Sequence, residues 1–282
     1  MKTHSFLYRR SFRRWFYPLL SISITFGIWF GAVNASQALS WRDLIFQGIQ
    51  VIQLTTLSDR QEVELGKQIN DQLINQEVKL LRNREATDYI NQIGQRLAQV
   101  SGRSQIPYTF QVVNDPKINA FATMGGFVYI NTGLMTAASN EAELASVMAH
   151  EIGHVVNRHA VSQMKRAAIA QGLANLAGVD KNIAVQIGVE LALKRPNSRE
   201  DEYEADQLGV AALGQAGYDQ YGAVSFMEKL LGAGSPPTFL STHPATSNRI
   251  AAMKQLIDPR LANNGAGMDN AAYQARVRRL LS

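Results

Sequence analysis

Two histidines four residues apart, with a glutamate directly after the first, constrain this 282-residue chain more than any other feature. The pentapeptide His150-Glu151-Ile152-Gly153-His154 lies in a proline-free stretch from Glu141 to Asn157. Such a stretch reads as one helix, opened by a capping box of Asn140 and Glu143. Residues i and i+4 project from the same helical face, so His150 and His154 converge on one point. Leu144, Val147, Met148, Ile152, Val155 and Val156 flank them and mark the helix as buried. Two imidazoles and a carboxylate in that setting need a partner. A metal cation held by the two histidines supplies it, with Glu151 placed to reach a water at the metal without ligating it. Gly153 lets a second element approach the helix closely.

The rest of the composition narrows the site. The chain has no cysteine, which excludes disulfides, thiolate nucleophiles and thiolate metal sites. Any metal must be held by histidines and carboxylates. Five histidines are present: His4, His150, His154, His159 and His243. His159 lies five residues past His154, about 140° further round a continued helix, and reads as a helix-end or surface histidine. The third ligand is sought in Ser198-Arg199-Glu200-Asp201-Glu202-Tyr203-Glu204-Ala205-Asp206, where Ser198 reads as a helix cap. Glu200 and Asp201 also suit a first helical turn for dipole reasons alone. Two acidic pairs have helical spacing, Glu200/Glu204 and Glu202/Asp206, and spacing does not choose between them.

The net charge of +5 originates in the first 15 residues, which carry Lys2, Arg9, Arg10, Arg13 and Arg14. An apolar run from Phe16 to Val33 follows, and then the small residues Ala35 and Ala38. Residues 1–38 therefore read as a signal peptide or an N-terminal membrane anchor, with the remainder on the far side of the membrane. No basic stripe interleaved with aromatics occurs later, so nucleic acid is not an expected partner. Residues 39–57 read as an amphipathic linker helix, and 263–282 as a loosely attached tail. Between them, 58–262 form one domain of α+β layout. Helices are expected over 58–77 and 83–100. Tyr108–Val113 alternates as a strand, and a hairpin is signalled by Asn119–Ala122 and Phe127–Ile130 around Met124-Gly125-Gly126. Everything after Gly133 reads mostly as helix.

His-Glu-Ile-Gly-His followed about fifty residues later by Ser-Arg-Glu-Asp-Glu-Tyr-Glu-Ala-Asp resembles the gluzin zinc metallopeptidases typified by the CAAX prenyl endopeptidases, HtpX and BepA. Glu62-Val63-Glu64-Leu65-Gly66-Lys67 and Ser241-Thr242-His243-Pro244, with Arg249-Ile250 beyond, are similar to two further family segments. The resemblance spans about residues 58–257. It implies a mainly helical zincin-type domain with a small β-sheet, and one Zn²⁺ per chain held by His150, His154 and Glu202 with water as the fourth ligand. It makes Asp206 the carboxylate that orients a ligating histidine and Glu151 the general base. His243 either closes the fourth zinc position, holding the site latent, or stabilises the tetrahedral anion, a role the resemblance implies for Arg249 or His243. The implied activity is zinc-dependent cleavage of unfolded or misassembled envelope proteins, in a short exported form resembling LoiP-like or BepA-like members. The alternative is a latent protease-fold chaperone or assembly factor. Membrane contact is expected through the N-terminal segment. Phe127–Asn131 is the strand expected to pair with an extended substrate.

Overall fold

The computed structural model describes residues 51–172, 178–194, 197–233, 237–244, 247–259 and 264–282. The expected signal or anchor at 1–38, and the linker helix up to residue 50, lie outside them. Among the described residues no helix is long and apolar enough to cross a membrane.

The described part of the linker is not helical. Val51–Ile52 (β1) pairs antiparallel with Val179–Asp180 (β5), and Leu54 and Leu57 reach the core from extended chain. Ser58 then caps α1 (Asp59–Gln72) in a capping box with Gln61. A π-helical turn over Leu73–Glu77 ends this helix. Asn83 caps α2 (Arg84–Gln99), whose Tyr89, Ile90, Ile93 and Leu97 point inward, as their spacing predicts.

Three strands follow: β2 (Thr109–Val113), β3 (Ala120–Thr123) and β4 (Phe127–Asn131). The β3–β4 hairpin is antiparallel and turns through Met124–Gly126, with Gly125 at φ 78°, a conformation that favours glycine. β2 pairs parallel with β4 from the other side. The sheet order β2-β4-β3 therefore puts β4 in the centre and β3 at an edge. This corrects the expectation for Phe127–Asn131, which is paired on both sides and has no free edge to offer. Alternate β4 residues serve opposite faces: Val128 and Ile130 join one core, Tyr129 the other.

Helices cover both faces. They are α3 (Thr132–Ala137), α4 (Glu141–Val156), α5 (His159–Ala170), α6 (Lys181–Lys194), α7 (Arg199–Gln215), α8 (Tyr221–Gly232), α9 (Phe239–Thr242), α10 (Ser247–Leu256) and α11 (Asn270–Leu281). The first core lies among α2, α4, α7 and α8, and the second among α1, α5 and α6. Asn140 caps α4 by accepting from the Glu143 N–H, but the Glu143 carboxylate accepts from the Ser139 N–H instead of closing a box on Asn140. The C-terminal stretch is not loose. Tyr273, Val277 and Leu280 bury one stripe of α11, Tyr273 Oη donates to the Met135 carbonyl, and Asn83 donates to the Leu280 carbonyl.

Helix α4 packs in close contact with α7. A Cβ on Gly153 would stand 2.8 Å from the Ala205 carbonyl oxygen, and one on Gly209 would stand 3.1 Å from the His150 nitrogen. The missing side chains let the two backbones touch. Gly153→Val should cost about 1–3 kcal/mol through overpacking, read as a lowered urea midpoint. An unchanged midpoint would show that the helices have room to part.

A second brace joins the hairpin to the end of α4. Glu62 on α1 is buried and accepts from the Gly125 N–H and from Arg103. Arg103 also donates to the Val155 carbonyl at the last turn of α4. At the α4–α5 corner Arg158 adopts a left-handed backbone (φ 56°), with its guanidinium against Glu62 and the Leu57 carbonyl.

Candidate active site

α4 presents His150, Glu151 and His154 toward a cleft, and all three are buried. His150 Nε2 and His154 Nε2 lie 3.1 Å apart. The contact with α7 brings Glu202 opposite them: its two carboxylate oxygens are 3.5 Å from His150 Nε2 and 3.4 Å from His154 Nε2. Asp206, one turn on, lies 3.0 Å from His150 Nδ1. The Glu202/Asp206 pair thus faces the histidines, and Glu204 does not. His243, just after α9, places Nδ1 3.3 Å from His150 Nε2 and 3.1 Å from Glu202 Oε1. Its ring stacks on Phe239, with centroids 4.5 Å apart.

This donor set fits zinc. One ligand atom each from His150, His154, Glu202 and His243 lies within 4.8 Å of the others. A carboxylate only accepts, so the bond to Asp206 places a hydrogen on His150 Nδ1 and leaves Nε2 as the lone-pair atom in a neutral ring. Nitrogen donors and a carboxylate, with no thiolate available, are a zinc-type set.

The electrostatics are set by burial and by the mutual contacts of these charged groups. Burial pushes Glu202 up, but the imidazoles of His243, His150 and His154 outweigh it and hold this carboxyl far below its usual range. For Asp206, burial is likewise outweighed by hydrogen bonds from Arg249 and His150, and its pKa is lowered. Burial pulls His150 down, yet Asp206 and Glu202 raise it to about 10, whereas burial dominates at His154 and lowers it to about 3. Glu151 is pushed up by burial, only partly offset by the charges of His243 and His150. Its Oε1 has no hydrogen-bond partner among the described residues; His243 Nε2 is 3.4 Å away.

Arg249 corrects a sequence expectation. Its Nε and Nη2 each donate to Asp206 at 2.7 Å, and Nη1 donates to Glu202 at 2.6 Å and to the Pro244 carbonyl at 3.0 Å. The guanidinium is buried behind the ligand carboxylates, and the cleft that contains Glu151 and His154 is not lined by it. It neutralises Glu202 and Asp206 and is not placed to meet an anion on the substrate.

His159 does stand at a helix end, as the first residue of α5, but it is not a surface histidine. It is buried, with Nδ1 2.7 Å from His154 Nδ1 and Nε2 3.0 Å from Glu204 Oε2. The 140° estimate assumed a continuous helix, but Arg158 breaks it with a left-handed residue and turns His159 back. Asn197 was not anticipated at all. Its Nδ2 donates to Glu202 Oε1 at 2.7 Å and lies 3.3 Å from His154 Nε2. Only its position directly before the Ser198 cap pointed toward the site.

Comparison with known proteins agrees with this geometry. The model of "Peptidase family M48" matches residues 84–257, which include the whole cluster. The chain is 33% identical over 214 residues to the beta-barrel assembly-enhancing protease of Escherichia coli, covering 70% of this chain and 44% of that one. It is 35% identical over 201 residues to the putative beta-barrel assembly-enhancing protease of Vibrio cholerae, covering 61% and 41%. It is 31% identical over 176 residues to the mitochondrial metalloendopeptidase OMA1 of Schizosaccharomyces pombe, covering 60% and 52%. The chain thus spans about two fifths to one half of these relatives. With the family model matched over more than half its length and a zinc-type donor set at the centre of the match, the chain belongs to peptidase family M48, the zinc metallopeptidases.

Proposed function

We propose that this chain is an endopeptidase that cleaves unfolded or misassembled proteins, with zinc held by His150, His154 and Glu202 and with Glu151 as the general base. The observation that carries it is the convergence of two imidazole Nε2 atoms and one buried carboxylate, with Glu151 beside them and its Oε1 free of any hydrogen-bond partner among the described residues. Zinc bound there would supply a Lewis acid for the scissile carbonyl and the attacking water. Glu151 would accept a proton from the attacking water and return it to the leaving amine. Asp206 holds His150 in its tautomer, and Arg249 keeps Asp206 ionised while donating to Glu202 as well. His243, within reach of Glu151, is the donor best placed for the developing anion.

The cleft also favours extended substrates. Phe121, Ala122 and Thr123 of the edge strand β3 line it beside Glu151, and Ile69 and Leu191 form apolar wall. A substrate strand added to β3 is read through its main chain, which suits unfolded proteins of many sequences. The bacterial relatives are named as beta-barrel assembly-enhancing proteases, which fits the role proposed here in dealing with misassembled proteins. The basic, then apolar, N-terminus supports export, with this domain outside the cytoplasm, in the periplasm or anchored to the membrane.

Casein digestion by the purified chain tests the reading. It should stop with o-phenanthroline and return with zinc, and His150→Ala and Glu202→Ala should lose both metal and activity. Cleavage that persists without metal would overturn it.

A second reading is favoured by one distance set: His243 Nδ1 belongs to the ligand cluster. As a fourth ligand, His243 holds the site latent, and the chain then acts chiefly as a chaperone or assembly factor for envelope proteins. His243→Ala separates the two. Cleavage rises if His243 caps the site. It falls by about 10²–10³-fold if His243 stabilises the anion.

A further inference from the structure

The two histidines of α4 are supported differently. His150 is held directly by Asp206. His154 has no carboxylate on its Nδ1; it meets His159 there, and His159 Nε2 meets Glu204. Asn157 Nδ2 donates to the same Glu204 oxygen at 3.0 Å. Asp201, the other carboxylate near His159, stands off at 3.9 Å, beyond hydrogen-bond range.

With His159 neutral, the Glu204 end of the relay sets the protons along it. Glu204 only accepts, so His159 Nε2 carries a hydrogen. A neutral imidazole then has an acceptor at Nδ1, and that acceptor takes the hydrogen of His154 Nδ1. His154 is left with its lone pair on Nε2, the atom that faces His150 Nε2 and Glu202.

We infer that His159 and Glu204 are positioning residues that hold the His154 ring and its tautomer in the ligating state, a relay one ring longer than the Asp206–His150 bond. The inference rests on the zinc site proposed above. A histidine carrying the wrong tautomer offers N–H to a cation, so the relay acts on metal affinity before it acts on cleavage. The left-handed Arg158 is what makes it possible, because it redirects the chain just before His159.

The test measures zinc affinity by competition with a chromophoric chelator, the visible spectrum of the Co²⁺-substituted protein, and the melting temperature of the chelator-treated protein. His159→Phe keeps the ring volume and removes the acceptor. It should weaken zinc binding about 10–100-fold and change the Co²⁺ spectrum. His159→Gln, whose side-chain oxygen accepts from His154, should recover most of that loss. Glu204 is 57% exposed, so Glu204→Ala should fold with an unchanged melting temperature and still weaken zinc by up to about tenfold. Unchanged affinity in both His159→Phe and Glu204→Ala overturns the inference, and so does equal loss in His159→Phe and His159→Gln. If His159→Phe does not fold, Glu204→Ala decides alone: unchanged affinity overturns the inference, weakened affinity sustains it. Failure of the zinc site itself looks different: the wild type would bind no zinc, or His154→Ala would bind it as tightly as the wild type.

Discussion

Glu151→Gln is expected to lower kcat/KM for an unfolded protein substrate by about 10²–10⁴-fold while the variant keeps its zinc. Gln has nearly the same shape and volume. It cannot take a proton. Glu151 is outside the ligand cluster, so metal content should not change. Burial raises the Glu151 pKa above its ordinary 4.5. Because the base must be ionised, activity is lost as pH falls, and the acidic limb of the profile should lie above 4.5. Metal analysis across the same pH range separates this limb from loss of zinc. A Gln variant that cleaves at the wild-type rate would remove Glu151 from the chemistry.

Arg249→Leu is expected to destabilise the protein by about 3–5 kcal/mol, the usual cost of stripping the partner from a buried charge. Here one guanidinium serves two buried carboxylates, bidentate to Asp206 and singly to Glu202. Leucine fills the space and takes the guanidinium away from both carboxylates. Lysine should not rescue the loss, because a point charge cannot span the fork. Urea unfolding of chelator-treated protein reads the effect free of any metal contribution. A shift below about 1 kcal/mol would mean that solvent reaches the pair and the ion cluster is not as closed as its burial indicates.

Local signals carried much of this from sequence. The α4 helix, its paired histidines and the Ser198 cap follow from spacing and capping alone. The β3–β4 hairpin was legible in Met124-Gly125-Gly126, but the placement of β2 beside β4 was not, because parallel pairing is fixed by distant packing. That is why the edge was assigned to the wrong strand. Spacing also left Glu202 and Glu204 equivalent; the α4–α7 crossing, set at Gly153 and Gly209, separates them. His159 was misplaced because nothing about an arginine marks a left-handed corner, which glycine or asparagine would have suggested. The C-terminal helix had a readable signal in Tyr273, Val277 and Leu280, whose intervals of four and three residues place them on one stripe.

The brace from Glu62 to Gly125, and through Arg103 to the end of α4, bears on how a substrate is measured. It ties the turn beside the β3 edge to the helix that carries Glu151, so the two sides cannot slide past each other. On the proposed pairing, the bond presented to Glu151 is then chosen by counting backbone units along β3, at about 3.3 Å per residue, and not by recognising a motif. Length becomes the selective property. A peptide too short to fill the four residues of β3 should be cut poorly whatever its sequence, and a folded protein should be spared until it releases a strand at least that long.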